Sequence, residues 1–179
     1  MPKYLSLFFL LVVNILSAQI FTCVDGISKF TSEAPLELIK AQSYKTKGVV
    51  DAKTKNVAFS VDMESFQGFN SGLQREHFME NYIETNKFPI STFKGKIIED
   101  VNFAKNGLVN VRAKGIFNIH GVDQEKIVKV NINIKDKQIE IDSDFEIIIE
   151  EHNIKVPKIV NQKIASVISV QIKAILKSK

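Results

Sequence analysis

Glu76 and His77 are the adjacent residues whose types come closest to an acid–base centre. An imidazole in hydrogen-bond contact with a carboxylate can move protons in a hydrolase-type reaction. The pair lies in a segment with helical periodicity, and neighbouring side chains on a helix point about 100° apart. The spacing therefore favours another role for His77, sealing an opening or satisfying a buried hydrogen bond. We predict no catalytic residue and a protein that is not an enzyme.

The other candidate ligands and nucleophiles are scattered along the chain. His77, His120 and His152 are far apart, and none lies four residues from another, as in helical zinc sites. Three carboxylates share one face of a predicted strand: Asp142, Asp144 and Glu146. Their alternation with apolar residues is typical of a solvated strand face. There is no Gly-rich phosphate loop and no nucleophile elbow, so we predict no metal and no cofactor.

The elements that would position these side chains are mainly strands. Apolar and polar residues alternate in residues 109–119, 128–134, 139–149 and 170–176. Because successive side chains of a strand point to opposite faces, each run predicts a strand with one buried face. Weaker strand patterns precede them, at 27–31, 47–52, 57–63 and 92–99. The total of about eight to ten antiparallel strands predicts an all-β sandwich or barrel.

One helix interrupts this pattern. Residues 73–85 place apolar side chains at helical spacing, and the helix must end before Pro89 because the residue preceding a proline resists the α conformation. Residues 36–41 predict a helical turn or an irregular strand. Asn106-Gly107 and Asp136-Lys137 predict hairpin turns, and Gly121 permits a sharp bend or bulge. His120 either caps this bend or faces a pocket.

The N-terminal residues have the pattern of a secretory signal. Lys3 precedes an apolar stretch that ends near Ala18-Gln19, and the stretch is too short to span a bilayer comfortably. We predict a signal peptide over residues 1–19, cleaved near Ala18-Gln19, and one exported domain over residues 20–179, secreted or periplasmic. A retained N-terminal anchor is the alternative.

Charge and cysteine content exclude further classes. The 24 basic and 20 acidic residues give a net charge of only +4, and they are interspersed. Basic residues do not cluster with aromatic ones, so a nucleic-acid partner is not predicted. Cys23 is the single cysteine, which excludes an internal disulfide. The preceding Ile20-Phe21-Thr22 lacks the small residue that lipoprotein processing requires, so lipidation of Cys23 is not favoured.

Three stretches together resemble the YceI-like family. They are REHFMENYIETNKFPISTFKGKI, GIFNIHGV and DFEIIIEEHNIKVPKIVNQKIASVISVQIKAIL, with KFTSEAPLELIKA fitting near the N-terminus. The match covers nearly all of the predicted mature chain. The resemblance implies an extended lipocalin-like antiparallel barrel with one helix and an elongated internal tunnel. It also implies binding of polyisoprenoids or other long amphiphilic molecules. The Arg75-Glu76-His77 stretch departs from the commoner family pattern, which bears on head-group contacts.

We therefore expect a non-catalytic binding protein that holds a polyisoprenoid, an isoprenoid quinone or a fatty-acyl chain. The alternatives are a structural or interaction barrel with a filled core and, less favoured, a hydrolase-type enzyme using His77. The oligomeric state and transient membrane contact stay open. Strand alternation and the helix give the predicted ligand-binding residues: Phe59, Val61, Phe78, Tyr82, Phe93, Val109, Val111, Phe117, Val128, Val130, Ile132, Ile141, Phe145, Ile147, Val170 and Ile172, with Arg75 and His77 for a polar head group.

Overall fold

The structure, a computed structural model, describes residues 19–178. The predicted signal peptide therefore lies almost entirely outside the described residues. Eight antiparallel strands form a closed barrel in which each strand pairs with the next and the last pairs with the first. The strands are β1 (Ile20–Glu33), β2 (Leu38–Asp51), β3 (Asn56–Asp62), β4 (Ile90–Ile97), β5 (Gly107–Ile119), β6 (Val122–Lys135), β7 (Gln138–Ile148) and β8 (Val167–Ser178).

The helical segments are short. The α-helix α1 (Gly72–His77) continues into one turn of π-helix (Phe78–Tyr82). Three single 3₁₀ turns complete the described helical structure: Met63–Ser65, Ile149–His152 and Lys158–Val160. None of the helices in residues 19–178 is long and apolar enough to cross a membrane.

The register of the sheet places apolar side chains in rows on the inner wall. Phe59 of β3 lies opposite Phe93 of β4, which lies opposite Phe117 of β5. In the same two strands Gly95 faces Gly115, and a Cβ added to Gly115 would lie 2.5 Å from the Cα of Gly95. These glycines let β4 and β5 approach closely where the wall bends.

The barrel splits along one seam. β6 and β7 pair only through Asn131–Lys135 and Gln138–Asp142. Beyond that point, side chains replace the backbone ladder: Ser143 Oγ donates to the Lys129 carbonyl at 2.7 Å, and Lys126 Nζ donates to the Glu146 carbonyl at 2.7 Å. The strands diverge toward the end of the barrel that carries α1, so this end is the wider one.

Several local predictions are confirmed and others need correction. The antiparallel barrel with one inserted helix is confirmed, as is the turn at Asp136-Lys137, where Lys135 pairs with Gln138. Of the two alternatives for residues 36–41, the structure shows the strand and not the helical turn, because β2 begins at Leu38. Asn106-Gly107 does not close a tight hairpin, since a loop over residues 98–106 joins β4 to β5. His120-Gly121 is itself the two-residue turn between β5 and β6, with φ values of 53° and 72°.

Candidate ligand-binding tunnel

The interior of the barrel holds two connected chambers. The upper chamber lies beside α1 and has a volume of about 420 Å³. The lower chamber lies deeper in the barrel and has a volume of about 90 Å³. Both are lined mainly by aliphatic and aromatic side chains from the strands, so together they form an elongated apolar tunnel.

The two chambers adjoin at a band of shared lining side chains, which we call the waist. The side chains that line both of them define it: Ser28, Val61, Ser91, Phe117, Phe145 and Ile172. Phe117 and Phe145 meet edge to face there, with ring centroids 5.7 Å apart. A ligand chain must pass these two rings to reach the lower chamber.

The lower end of the tunnel is closed by packed side chains. Val50, Val57 and Ile97 form the base of the lower chamber and are buried. Phe21 packs beneath them, and its ring centroid lies 5.8 Å from that of Phe103 in the β4–β5 loop. We call this layer the floor; it also contains Ile134, Ile139 and Leu176, each no more than 2 % exposed. The tunnel is therefore blind at this end.

Four phenylalanine rings surround the upper chamber. Phe30 of β1 stacks on Phe78 with centroids 5.3 Å apart, and it also contacts Phe66 at 5.4 Å and Phe69 at 5.8 Å. Solvent reaches the chamber beside them, because the exposed residues Leu73 and His77 belong to its lining. This opening is the mouth of the tunnel.

α1 is held at the mouth by specific polar contacts. Ser71 caps the helix, since its hydroxyl accepts a hydrogen bond from the Gln74 amide at 3.1 Å. Gln74 donates to the Glu37 carboxylate at 2.8 Å. Arg75 donates to the carbonyls of Phe66 at 3.1 Å and Glu64 at 2.8 Å. These contacts fix the aromatic face of the helical segment over the barrel.

Most of the predicted binding residues line the tunnel. The lower chamber contains Phe59, Val61, Phe93, Val111, Phe117, Val128, Val130, Ile132, Ile141, Phe145 and Ile172. The upper chamber adds His77, Phe78, Tyr82, Ile147 and Val170. Two predicted residues lie outside the lining of both chambers. Val109 packs against the cluster that includes the floor. The Arg75 guanidinium faces the link that precedes α1 and donates its hydrogen bonds to backbone carbonyls there.

A set of inward hydroxyl groups is absent from the predicted binding residues. Ser143 falls between Ile141 and Phe145 on the same strand face, so strict alternation alone could have placed it in the tunnel. The Ser28 and Thr46 hydroxyls bond to each other at 2.6 Å, and the Ser91 hydroxyl donates to the Asn118 carbonyl at 2.7 Å. Because these groups have partners within the wall, they leave the tunnel surface apolar.

Some of the missed lining residues lie outside the strands and carry no periodic signal. Phe66 and Phe69 belong to the irregular link before α1, and Lys163 lies in the link before β8. Glu37 belongs to the β1–β2 turn. The sequence offers no rule that brings such loop residues to one opening.

The three histidines lie near the upper end of the barrel, and they do not form one common site. His120 contacts the His152 carbonyl through Nδ1 at 3.0 Å and the Glu84 carboxylate through Nε2 at 2.9 Å. Hydrogen bonds from Lys87 and then His120 lower the pKa of Glu84. Thus His120 connects the end of the π-helical turn to the 3₁₀ turn that follows β7. Within residues 19–178, the His77 side chain forms no hydrogen bond or ion pair, and none joins it to the Glu76 carboxylate.

His152 is buried, and this predicts a pH dependence of stability. Its side chain lies edge-on to Phe117 at 5.5 Å, and burial lowers its pKa from the ordinary value, partly offset by the hydrogen bond to the Val122 carbonyl. Above a pH of about 6.5 the ring is neutral in both folded and unfolded chains. As the pH falls below that value, the unfolded chain takes up the proton first, so folding becomes less favourable.

We therefore expect the free energy of unfolding to fall between about pH 7.5 and pH 5.5. The measurement is urea denaturation at the two pH values for the wild type and for His152→Gln. The variant is less stable overall, but its loss between the two values should be smaller. Equal losses in the two proteins would contradict the assignment to His152.

No metal site is formed by the part of the chain that the structure describes, where no group of three His, Cys, Asp or Glu side chains could hold an ion. The carboxylates of β7 lie on the outer wall, as predicted. Asp142 pairs with Lys173 at 3.1 Å, and Asp144 accepts a hydrogen bond from Gln171 at 3.0 Å. Burial raises the pKa of the Cys23 thiol, which faces the barrel interior from β1.

A closed antiparallel barrel around a blind apolar tunnel, with a short helix at the mouth, defines a lipocalin-like protein. A model of the YceI-like domain matches residues 24–176. The chain belongs to the YceI-like family, and the resemblance seen in the sequence is confirmed. A comparison with curated proteins found no match.

Solved structures show the same fold at low sequence identity. A polyisoprenoid binding domain from Saccharophagus degradans, implicated in plant cell wall breakdown, matches with a TM-score of 0.76 and 12 % identity, over 90 % of this chain and 99 % of that one. BcnA of Burkholderia cenocepacia matches at 0.70 and 14 %, over 84 % and 95 %. The YCEI protein of Campylobacter jejuni matches at 0.61 and 14 %, over 78 % and 84 %.

Proposed function

We propose that this protein binds one long apolar or amphiphilic chain, of the polyisoprenoid, isoprenoid-quinone or fatty-acyl type, and that it performs no chemistry on it. The observation that carries the proposal is the blind apolar tunnel with its 420 Å³ upper chamber. The Saccharophagus degradans domain of the same fold is described as polyisoprenoid binding, which supports this ligand class.

The chamber volumes suggest how long the bound part of the chain is. An apolar cavity of about 150 Å³ accommodates one benzene ring. On that scale the upper chamber holds roughly 15 to 20 carbon atoms, and the lower chamber adds only a few beyond the waist. A C15 to C20 prenyl chain fits this space, and a longer chain would extend out of the mouth.

The energetics favour an occupied tunnel. Burying 15 to 20 carbons gains about 12 to 16 kcal/mol before the costs of association. An empty upper chamber would cost up to about 10 kcal/mol at the rate measured for core cavities. Domains of this size are stable by only about 5–15 kcal/mol, so a filled tunnel also stabilises the fold.

A polar head group would lie at the mouth. His77 and Tyr82 line the upper chamber, as do Glu37 and Lys163. Burial raises the pKa of the Tyr82 hydroxyl, so it stays a neutral donor near pH 7. We also propose that the chain is exported through the signal at residues 1–19 and is not lipidated at Cys23.

The test combines native mass spectrometry of the purified protein with thermal shifts. We expect a copurified lipid and, after its extraction, stabilisation by farnesol, geranylgeraniol or palmitate. A ligand at 100 times its Kd adds about 2.7 kcal/mol, which corresponds to a Tm increase of roughly 5–10 °C. No copurified lipid together with no shift for all three probes would overturn the proposal.

A further inference from the structure

The link between β7 and β8 places an unusual surface at the mouth of the tunnel. Residues 153–166 contain three lysines, Lys155, Lys158 and Lys163, and no acidic residue. All three lysines are exposed. Ile159 lies in the 3₁₀ turn of this link and is 91 % exposed, the largest value among the exposed hydrophobic residues described. An aliphatic side chain held almost fully in water beside lysines is typical of surfaces that enter a lipid interface.

Two further apolar side chains continue this surface. The Leu36 amide donates to the Gln162 carbonyl at 2.9 Å, so the β1–β2 turn lies against the link. Leu36 is 66 % exposed. Leu73 of α1 is 60 % exposed, and α1 is bound to the same turn through Gln74 and Glu37. We call Leu36, Leu73 and Ile159, with the lysines of the link, the mouth rim.

The mouth rim is fixed to the barrel. The Ala165 amide donates to the buried Ser32 hydroxyl at 2.9 Å, which anchors the end of the link to β1. Val160, Lys163 and Ile164 of the link line the upper chamber, and so does Leu73. The exposed apolar residues therefore surround the opening through which a ligand must enter.

The charge of the rim indicates its partner. Exposed carboxylates flank the link: Glu150 and Glu151 lie just before it, and Glu33 precedes the β1–β2 turn. Glu76 lies on α1 one helical turn from Leu73, and Glu37 is already engaged by Asn70 and Gln74. The link itself presents lysines only. Near an anionic lipid surface each lysine strengthens binding about five-fold, and exposed aliphatic side chains add to it by insertion at the acyl boundary.

We propose that the mouth rim docks on an anionic lipid bilayer, so that the tunnel opens toward the membrane when ligand is exchanged. This docking goes beyond the proposed binding function. It depends on Ile159 and the lysines at the rim, and not on which chain the tunnel holds.

The experiment is co-sedimentation of the purified protein with vesicles. Phosphatidylcholine vesicles containing phosphatidylglycerol are compared with pure phosphatidylcholine vesicles, at low and at physiological ionic strength. We expect binding to the anionic vesicles, weaker at the higher ionic strength because of screening. Ile159→Asp and the double variant Lys155→Glu/Lys158→Glu should each lower the partition coefficient about ten-fold or more.

Matched controls lie on the outer wall of β6. Ile127 is 54 % exposed and Lys129 is exposed, and both lie near the middle of β6, outside the lining of the upper chamber. Ile127→Asp and Lys129→Glu should bind vesicles like the wild type. The farnesol-induced thermal shift should be unchanged in Ile159→Asp, because Ile159 lies outside the chamber lining. This readout separates failure of docking from failure of the proposed binding function.

Three outcomes would overturn the proposal. One is equal vesicle binding by the wild type and Ile159→Asp. Another is no preference for anionic over neutral vesicles. The third is a dimer in sedimentation velocity that Ile159→Asp dissociates, together with no vesicle binding, which would assign the rim to a second copy of the chain.

Discussion

Val170→Trp is expected to weaken ligand binding and, at the same time, to stabilise the ligand-free protein. Val170 lies on β8, is partly buried, and lines the upper chamber. In the sheet register it stands between Phe30 of β1 and Phe145 of β7. An indole at this position projects into the space that a ligand chain would occupy.

The opposite signs of the two effects make this variant informative. In a packed core the larger side chain would strain its neighbours and cost about 1–3 kcal/mol. In a 420 Å³ chamber the indole has room. Filling about 50 Å³ of empty space returns roughly 1 kcal/mol, or a Tm increase of about 2–4 °C.

The measurements are thermal denaturation of the lipid-extracted protein and a titration with geranylgeraniol. Ser169→Trp is the matched control, since Ser169 is the exposed neighbour on the same strand. We expect the control to bind normally. A Val170→Trp protein that is destabilised by more than about 1 kcal/mol would indicate a filled interior instead, and unchanged binding would place the ligand elsewhere.

The sheet could be predicted well where alternation is strict and turns are short. Residues 109–119 alternate without interruption and correspond to β5, and Asp136-Lys137 closes the hairpin from β6 to β7. Alternation weakens in β1 and β2, whose pairing contains bulges near Gly26. A bulge shifts the face of every later residue, so a strict period of two underestimated the length of both strands.

Alternation predicted which residues face the interior of the barrel, but not which of them border the empty chambers. Alternation places Val109 and Val111 on the same face of β5, yet Val111 lines the lower chamber and Val109 does not. Which inward residue meets empty space depends on how the whole barrel closes, and a single strand does not contain that information. Similarly, Arg75 and His77 were both predicted to meet a polar head group, but the Arg75 guanidinium donates hydrogen bonds to backbone carbonyls that precede α1.

Contacts between distant segments were beyond sequence reasoning for a related reason. His120 reaches Glu84 across 36 positions of sequence, and Phe30 of β1 meets Phe78 of the helical segment that follows β3. Their pairing follows from strand order and from the placement of α1. The family resemblance implied an internal tunnel, whereas the residue patterns alone were compatible with either a sandwich or a barrel.

Phe21→Ala should cause a large loss of stability, because it removes the central ring of the floor. Phe21 is 0 % exposed and contacts Phe103, and Ile139 and Leu176 in the same cluster are also 0 % exposed. Truncating a fully buried phenylalanine typically costs about 3–5 kcal/mol. For a chain of this length that lowers the Tm by roughly 6–20 °C.

The result distinguishes the floor from the mouth. Thr22→Ala is the neighbouring control, because Thr22 points to the outer face of β1, and its effect should stay within about 0.5 kcal/mol. Phe69→Ala at the half-buried mouth should cost less stability than Phe21→Ala but weaken binding of geranylgeraniol. Urea denaturation and ligand titration of the three variants measure both effects. A loss below about 1 kcal/mol for Phe21→Ala would mean that the floor is loosely packed, and the tunnel would then no longer be blind at this end.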